Sequence, residues 1–326
     1  MKLEEIGFYT LSDNRAKNIS PTSPIMRAEI ILSDKCNFHC TYCRGLRSDC
    51  RGNMSFEFAK KTLDIWIRGG LKNVRFSGGE PTLYPYLNEL VKICKSNGVE
   101  HIAISSNGSA DTRIYDGLIE DGVNDFSISL DACCSSFADK MAGVDGYFNV
   151  IVENIRNIAK QTYITVGVVL SEDNVSEAKK IINFAHELGV SDIRIISAAQ
   201  YNRLIDNVKD VSEDILNAHP ILKYRINNLR NGINVRGLKE SDCHKCYLMM
   251  DDDVVAGKYS FPCVIYMREG GNPVCEVSDD MRSKRIEWMN KHDIYEDPIC
   301  KSNCLDVCKF FHNKIREYKN ETHQDI

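Results

Sequence analysis

The sequence predicts an α/β fold, an open partial (β/α)6 barrel of the TIM-like kind followed by a small cysteine-rich domain. Segments typical of strands and helices alternate in six βα units, which favours a parallel sheet covered by helices. Six units are fewer than the eight of a closed barrel. From about residue 236 periodicity fades and cysteine, glycine and proline become frequent. We therefore expect an N-terminal extension at 1–25, the barrel at 26–235 and a second domain at 236–326.

The predicted strands are short and rich in β-branched residues, at 27–32, 74–76, 101–105, 125–130, 163–170 and 192–197. The predicted helices are amphipathic and end near glycine or asparagine. They cover 55–69, 86–96, 112–120, 147–160 and 175–188, with a helical stretch near 211–231. Ser55 is expected to cap the first of them.

Composition and charge exclude several classes of function. The chain has 326 residues, a net charge of −5 and a pI near 5.9, so neither nucleic acid nor an anionic membrane is an expected partner. No apolar run approaches the roughly 20 residues that span a bilayer, and residues 1–20 lack the apolar core of a signal peptide. A cytoplasmic location is expected. Disulfides do not persist there, so 14 cysteines, many at short spacings, indicate metal binding.

Three of these cysteines follow the first predicted strand with the spacing Cys36-x-x-x-Cys40-x-x-Cys43. Three such thiolates can hold three irons of a cubane [4Fe–4S] cluster and leave the fourth iron open to another ligand. An open position is what distinguishes a catalytic metal site from a structural one. The alternatives are a zinc knuckle that lacks one ligand and chance clustering.

This motif, with Tyr42 just before the third cysteine, resembles the signature of radical S-adenosylmethionine (radical SAM) enzymes. The resemblance implies that S-adenosylmethionine chelates the open iron and that a flavodoxin- or ferredoxin-type donor supplies one electron. Cleavage of the sulfonium then gives a 5′-deoxyadenosyl radical that abstracts a hydrogen atom from substrate. Ser77-Gly78-Gly79-Glu80-Pro81 is similar to the family's GGE motif, whose acidic side chain receives the methionine ammonium.

The resemblance extends over about residues 27–200. By it, residues near the ends of later strands also contact S-adenosylmethionine. The implied cofactor contacts are Phe38, Tyr42, Gly78, Gly79, Glu80, Ser106, Asn107, Ser129, Asp131 and Val168. Arg194 is interpreted as an exposed arginine at the edge of the barrel. Cys133 and Cys134 follow the fourth strand, where a thiol could return a hydrogen atom to a substrate radical, although packing is the commoner role of such residues.

The C-terminal cysteines form a second group. Cys246, a hairpin around Gly257, and Cys263 resemble the SPASM and twitch domains, which hold auxiliary [4Fe–4S] clusters. One or two auxiliary clusters are implied. The first choice of ligands is Cys243, Cys246, Cys263 and Cys275, with Cys300, Cys304 and Cys308 completing that cluster or holding a second. A structural zinc that uses His244 or His312 is the rival.

The sequence leaves the reaction open. Family members with auxiliary clusters commonly modify ribosomally made peptides by cross-linking, oxidation or epimerisation. Peptide modification is therefore the leading hypothesis for the reaction. Epimerisation or dehydrogenation of a sugar or aminocyclitol comes next. The molybdenum-cofactor cyclase has a similar architecture but ends in Gly-Gly, whereas this sequence ends Thr322-His323-Gln324-Asp325-Ile326, so it is disfavoured. A non-catalytic iron–sulfur or zinc protein is the remaining class. The acidic run at 251–253 is interpreted as solvated.

Overall fold

The computed structural model describes residues 13–198 and 207–322. Within them, the sheet has nine strands in the order β6-β5-β4-β3-β2-β1-β7-β8-β9. Neighbouring strands from β6 to β1 are parallel, which confirms the six predicted βα units. These strands are β1 Arg27–Ile31, β2 Asn73–Ser77, β3 His101–Ser106, β4 Asp125–Ser129, β5 Tyr163–Leu170 and β6 Asp192–Ser197.

The helices of the barrel follow their strands in sequence. They are α2 Phe56–Arg68, α3 Leu87–Ser96, α4 Thr112–Asp121, α5 Ser135–Ala142, α6 Phe148–Ala159, α7 Ala178–Glu187, α8 Glu213–Ala218 and α9 Pro220–Arg230, with α1 Asp13–Asn18 before β1. None of the helices within the described ranges combines the length and apolarity needed to cross a lipid bilayer.

Local sequence explains where these helices begin and end. Ser55 accepts a hydrogen bond from the backbone N–H of Phe58, and α2 ends at Gly69, as predicted. The stretch near 211–231 divides into α8 and α9 because Pro220 begins a new helix in its first turn. Helix α5 was not predicted from the sequence. It begins directly after Cys134 and ends at Gly143 in a left-handed conformation.

The C-terminal region extends the barrel sheet. It contains β7 Asp252–Ala256, β8 Tyr259–Phe261, α10 Val264–Arg268, β9 Cys275–Glu276, α11 Met281–Lys291, α12 Pro298–Asn303 and α13 Asp306–Thr322. Strand β7 pairs in parallel with β1, and β8 returns antiparallel as the hairpin predicted around Gly257. The cysteine-rich region is therefore continuous with the barrel through main-chain hydrogen bonds. The boundary near residue 236 stays a prediction.

The acidic run that leads into β7 is buried, so its interpretation as a solvated segment is wrong. Asp251, Asp252 and Asp253 are between 2% and 9% exposed. Arg15 pairs with Asp251 and Asp252, and Arg285 pairs with Asp253 at 2.8 Å. Arginines from elements far apart in the sequence neutralise these buried carboxylates. No local sequence pattern predicts such long-range pairs.

Asp253 anchors three groups at the centre of the molecule. Its carboxylate accepts hydrogen bonds from Trp66 Nε1 at 2.9 Å and Ser260 Oγ at 2.8 Å, besides pairing with Arg285. We expect Asp253→Ala to lower the free energy of unfolding by about 3–5 kcal/mol, because it leaves a buried guanidinium without its partner. Anaerobic urea unfolding measures this.

Asp279→Ala is the matched control, because its pair with Arg68 is exposed on both sides (67% and 76%). That change should cost no more than about 1 kcal/mol. Equal losses for the two variants would contradict a structural role for the buried pair.

Candidate active site

The loop that carries Cys36, Cys40 and Cys43, residues 33–47, packs directly on the glycine turn after β2. Gly79 N–H donates to Ser33 O at 2.7 Å, and Glu80 N–H donates to Lys35 O at 2.8 Å. A Cβ on Gly78 would lie 2.4 Å from Ser33 O, and one on Gly79 would lie 2.1 Å from Lys35 O. The two glycines are thus required where this turn meets the cysteine loop, a contact that sequence reasoning did not assign to them.

The other side of the cysteine loop rests on the end of α5. His39 N–H donates to Ala142 O at 2.8 Å and Thr41 N–H donates to Met141 O at 3.2 Å. Phe38 is buried, and its ring contacts that of Tyr147 edge to face with centroids 5.2 Å apart. Phe38 therefore fixes the loop against the helical layer, while Cys36 and Cys43 stay exposed.

The three thiols lie close enough to influence one another electrostatically. Burial raises the pKa of Cys40 to about 12, with further contributions from Asp131, Cys43 and Cys36. Burial likewise raises the pKa of Cys36, near Glu80 and Cys43. Three thiolates beside two carboxyl groups need a cation to be stable together. Iron supplies such charge, so this donor set fits a cubane cluster.

Glu80 connects the glycine turn to the loop after β3. It is 1% exposed, and burial raises its pKa. Its Oε2 accepts from Asn107 N at 2.7 Å, while Oε1 accepts from Ser106 Oγ at 2.9 Å and Thr82 Oγ1 at 2.7 Å. Asn107 in turn donates to Asn37 Oδ1 at 2.9 Å and lies 3.9 Å from the Cys36 sulfur. Glu80, Ser106 and Asn107 are therefore brought to the cysteine loop, and their contact with S-adenosylmethionine stays a prediction.

The remaining implied cofactor contacts occupy different environments. Tyr42 donates its hydroxyl to the carboxylate of Asp131, whose other oxygen accepts from Val169 N at 2.7 Å. Burial raises the pKa of Asp131 to about 6. Ser129 is exposed at the end of β4, whereas the Val168 side chain lies in the hydrophobic core. Contact between S-adenosylmethionine and Val168 can then involve only its backbone.

Cys133 and Cys134 face the start of α7. Cys133 interacts electrostatically with Glu177 and Lys180, and burial raises its pKa. Cys134 is exposed next to Ser136. A role for either thiol as a hydrogen-atom donor stays a prediction.

A cavity of about 650 Å³ lies inside the open barrel, between the sheet and the C-terminal helices. Five cysteines line it, namely Cys246, Cys263, Cys300, Cys304 and Cys308. Burial raises the pKa of each of these thiols, and neighbouring cysteines contribute to that of Cys246, Cys300, Cys304 and Cys308. Cys243 and Cys275 are absent from this lining. The cavity thus contains two of the four cysteines of the expected first set, and the identity of the ligands stays a prediction.

The position of the C-terminal elements explains this grouping. Helix α13 carries Cys308 to the cavity lining, whereas the buried Cys243 lies near Arg316 and Lys319 of the same helix and outside that lining. Cys275 lies on the edge strand β9 near Arg285. Of the rival zinc ligands, His244 is exposed and pairs with Asp293, while His312 lines the cavity.

Charged side chains line the same cavity from the barrel side. Arg27, Glu29 and Arg75 project from β1 and β2, and Arg194 projects from β6. Gly167 on β5 makes room for Arg194, since a Cβ there would lie 3.3 Å from its Nη2. Arg194 thus faces the interior of the barrel, which corrects its interpretation as an exposed edge residue. Alternation along the strands is the signal that identifies these positions.

Arg268 is a site residue that sequence reasoning missed. Its guanidinium donates to Gly45 O at 3.0 Å and to Gly78 O at 3.1 Å, so it joins the cysteine loop to the glycine turn. It ends α10, the helix whose first turn is capped by the Cys263 sulfur. No sequence pattern marks an arginine that binds two distant carbonyl groups.

With this geometry in view, comparison with known proteins identifies the class of domain. Residues 30–185 match the Radical SAM superfamily. These residues form a radical SAM domain, the class of domain whose cofactors are S-adenosylmethionine and a [4Fe–4S] cluster. The match ends before the C-terminal cysteines.

Two relatives share part of this chain. A probable GTP 3′,8-cyclase of Metallosphaera sedula is 30% identical over 177 residues, which are 53% of this chain and 56% of that protein. A probable GTP 3′,8-cyclase of Sulfurisphaera tokodaii is 25% identical over 61% of this chain and 69% of its own length. The alignment thus spans little more than half of the first relative.

Solved structures share the fold. Streptococcus suis SuiB superposes with a TM-score of 0.57 at 14% identity, covering 87% of this chain and 68% of SuiB. The enzyme anSMEcpe with bound AdoMet superposes with a TM-score of 0.58 at 15% identity, covering 92% of this chain and 94% of that one.

The contact at Gly79 allows a direct test of the site. We expect Gly79→Ala to lower the affinity for S-adenosylmethionine by about tenfold or more, because the added methyl group must displace the cysteine loop. Titration of the reduced cluster with S-adenosylmethionine, followed by EPR, measures the affinity.

Gly117→Ala is the control, since a Cβ at that position in α4 meets nothing within 4 Å. Its affinity should equal that of the parent enzyme. An unchanged affinity in Gly79→Ala would show that the glycine turn does not position the cofactor site.

Proposed function

We propose that this enzyme uses its radical SAM domain to abstract a hydrogen atom from a small anionic molecule held inside the barrel. When bound, the cluster and S-adenosylmethionine supply a 5′-deoxyadenosyl radical. The cavity of about 650 Å³ lined by Arg75 and Arg194, with Arg27 paired to Asp252, is the observation that carries the proposal. Its size suits a small ligand, and guanidinium groups suit carboxylate or phosphate.

In this proposal Cys36, Cys40 and Cys43 hold the catalytic cluster, and the mouth of the barrel binds the cofactor. Asn107 and Glu80, adjacent to the Cys36 sulfur, orient the methionine end of S-adenosylmethionine. Tyr42 and Asp131 brace the loop beside Cys40. Ser77, at the end of β2 beside the glycine turn, donates its Oγ to Glu29 Oε1 at 2.5 Å. Since Glu29 lines the cavity, this hydrogen bond connects the cofactor region to the cavity.

We further infer that the C-terminal cysteines hold one auxiliary [4Fe–4S] cluster of the SPASM or twitch kind. A cubane takes four thiolates, and five cysteines line one cavity. Cys246 precedes the hairpin of β7 and β8, and Cys263 follows it. A single cavity supports one cluster better than two. In this arrangement the cubane occupies the part of the cavity that the cysteines line, and the substrate occupies the part that the arginines line.

The relatives support a small substrate. Both are named for a reaction of GTP, a small molecule that carries phosphates. Peptide modification is the second candidate, since SuiB has also been solved with its precursor peptide SuiA, at a TM-score of 0.56. That likeness at 13% identity concerns the fold alone.

The catalytic cluster is tested by cleavage of S-adenosylmethionine under dithionite. We expect the parent enzyme to form 5′-deoxyadenosine, and Cys40→Ala to form none while it keeps the auxiliary cluster, about four irons per chain. Chromatography and iron analysis give the two values. Equal 5′-deoxyadenosine from both proteins would refute the assignment.

The auxiliary cluster is tested by a pair of cysteine variants. Cys246→Ala should lower the iron content from about eight to about four per chain, because it removes a ligand inside the cavity. Cys243→Ala should leave it unchanged, because Cys243 lies outside the cavity lining. The reverse pattern would favour the ligand set expected from the sequence.

The substrate proposal is tested with GTP as the first probe and with a short peptide as the comparison. GTP should raise 5′-deoxyadenosine formation above the rate without substrate. Arg194→Met should raise the KM for GTP by roughly 10- to 100-fold through loss of a charge-assisted contact. Arg113→Met, a change of a solvent-exposed arginine, should not. Stimulation by peptide alone would favour the second candidate.

A further inference from the structure

A second group of metal-type ligands lies at the edge of the cysteine cavity. It consists of His292, which follows α11, and Asp297 and Cys300, which lie at the start of α12. One ligand atom from each of the three lies within 4.8 Å of the other two. None of the motifs recognised in the sequence includes His292 or Asp297.

The geometry of His292 differs from that of an ordinary histidine–aspartate pair. Its Nε2 lies 3.1 Å from Asp297 Oδ2, yet this buried nitrogen has no hydrogen-bond partner among the described residues. An N–H group that donated to the carboxylate would point along the line between the two atoms. The two atoms thus lie at hydrogen-bond distance without the alignment of a hydrogen bond, and a ligand atom of Cys300 lies within 4.8 Å of both.

The surrounding residues hold the three ligands in place. The indole of Trp288 stacks on the His292 ring, with centroids 3.9 Å apart and planes inclined by 21°. Asp297 Oδ1 accepts from Ile299 N at 2.8 Å and Cys300 N at 2.9 Å, and Oδ2 accepts from Tyr266 Oη at 3.0 Å. Such outer contacts fix the orientation of metal ligands before the metal binds.

The number of cysteines leaves one thiol for this group. Five line the cavity and a cubane uses four, and Cys300 is the one that metal-type oxygen and nitrogen atoms flank. We propose that His292, Asp297 and Cys300 bind a single Zn²⁺ ion beside the auxiliary cluster. Imidazole, carboxylate and thiolate are the ligands zinc prefers, and three of them leave a fourth position for water or a substrate atom.

The experiment measures zinc and iron in the full-length protein, reconstituted anaerobically, incubated with ZnCl₂ and desalted. The parent should keep about one zinc per chain, and His292→Ala should lose it with no change in iron. Asp297→Asn should lose zinc as well. Because asparagine can still cap α12, this variant replaces His292→Ala as the test if the alanine variant misfolds. His244→Ala, an exposed histidine outside the group, should keep the zinc.

Cys300→Ser decides whether this thiol serves zinc or the cubane. Loss of zinc alone supports the proposal, and loss of about four irons overturns it, because Cys300 would then be a cluster ligand. Substitution by Co²⁺ gives a second measurement, since a cobalt–thiolate absorption band should appear in the parent and vanish in Cys300→Ser. A parent protein that retains no zinc would also overturn the proposal.

Discussion

The contact between the Gly78-Gly79 turn and the backbone of residues 33–35 is the constraint on which the site depends. Strands β1 and β2 are adjacent and parallel, with Ile31 opposite Ser77, so their following loops emerge side by side. The loops touch only because neither glycine carries a side chain. This contact fixes where Cys36 begins the cysteine loop, and so where an iron with an open position would face the mouth of the barrel.

Arg268 connects the same contact to the C-terminal cysteine region. Arg268 donates to carbonyl groups on both loops, and α10, which it ends, begins at Cys263. Strand β7 adds a second connection through its pairing with β1. The C-terminal region is therefore part of the wall of the active site, which gives a physical reason for a cysteine cavity under the barrel. The arginines of β1, β2 and β6 line the same cavity as the C-terminal cysteines.

Much of the barrel could be predicted from the sequence because short local patterns determine where its strands and helices lie. The strands at 163–170 and 192–197 have the predicted bounds, and Ser55 caps its helix as expected. The cysteine loop and the glycine turn were also found, since short motifs carry them. The buried state of Asp251–Asp253 was not, because their partners Arg15, Arg27 and Arg285 come from α1, β1 and α11.

The grouping of the C-terminal cysteines shows the same limit. Spacing along the chain paired Cys243 with Cys246, and both lie in one buried cluster, but only Cys246 lines the cavity. Cys300, Cys304 and Cys308 join Cys246 and Cys263 only when α12 and α13 pack below the sheet. Arg194 was misread although alternation along β6 indicates its inward direction, opposite Gly167 of β5.

The open iron is the central claim, and electron–nuclear double resonance tests it most directly. The reduced enzyme is mixed with S-adenosylmethionine that carries ¹⁵N in its amino group. A hyperfine coupling between that nitrogen and the cluster of Cys36, Cys40 and Cys43, absent in Cys40→Ala, is the predicted result. A cluster signal that S-adenosylmethionine leaves unchanged, with no nitrogen coupling, would contradict the account.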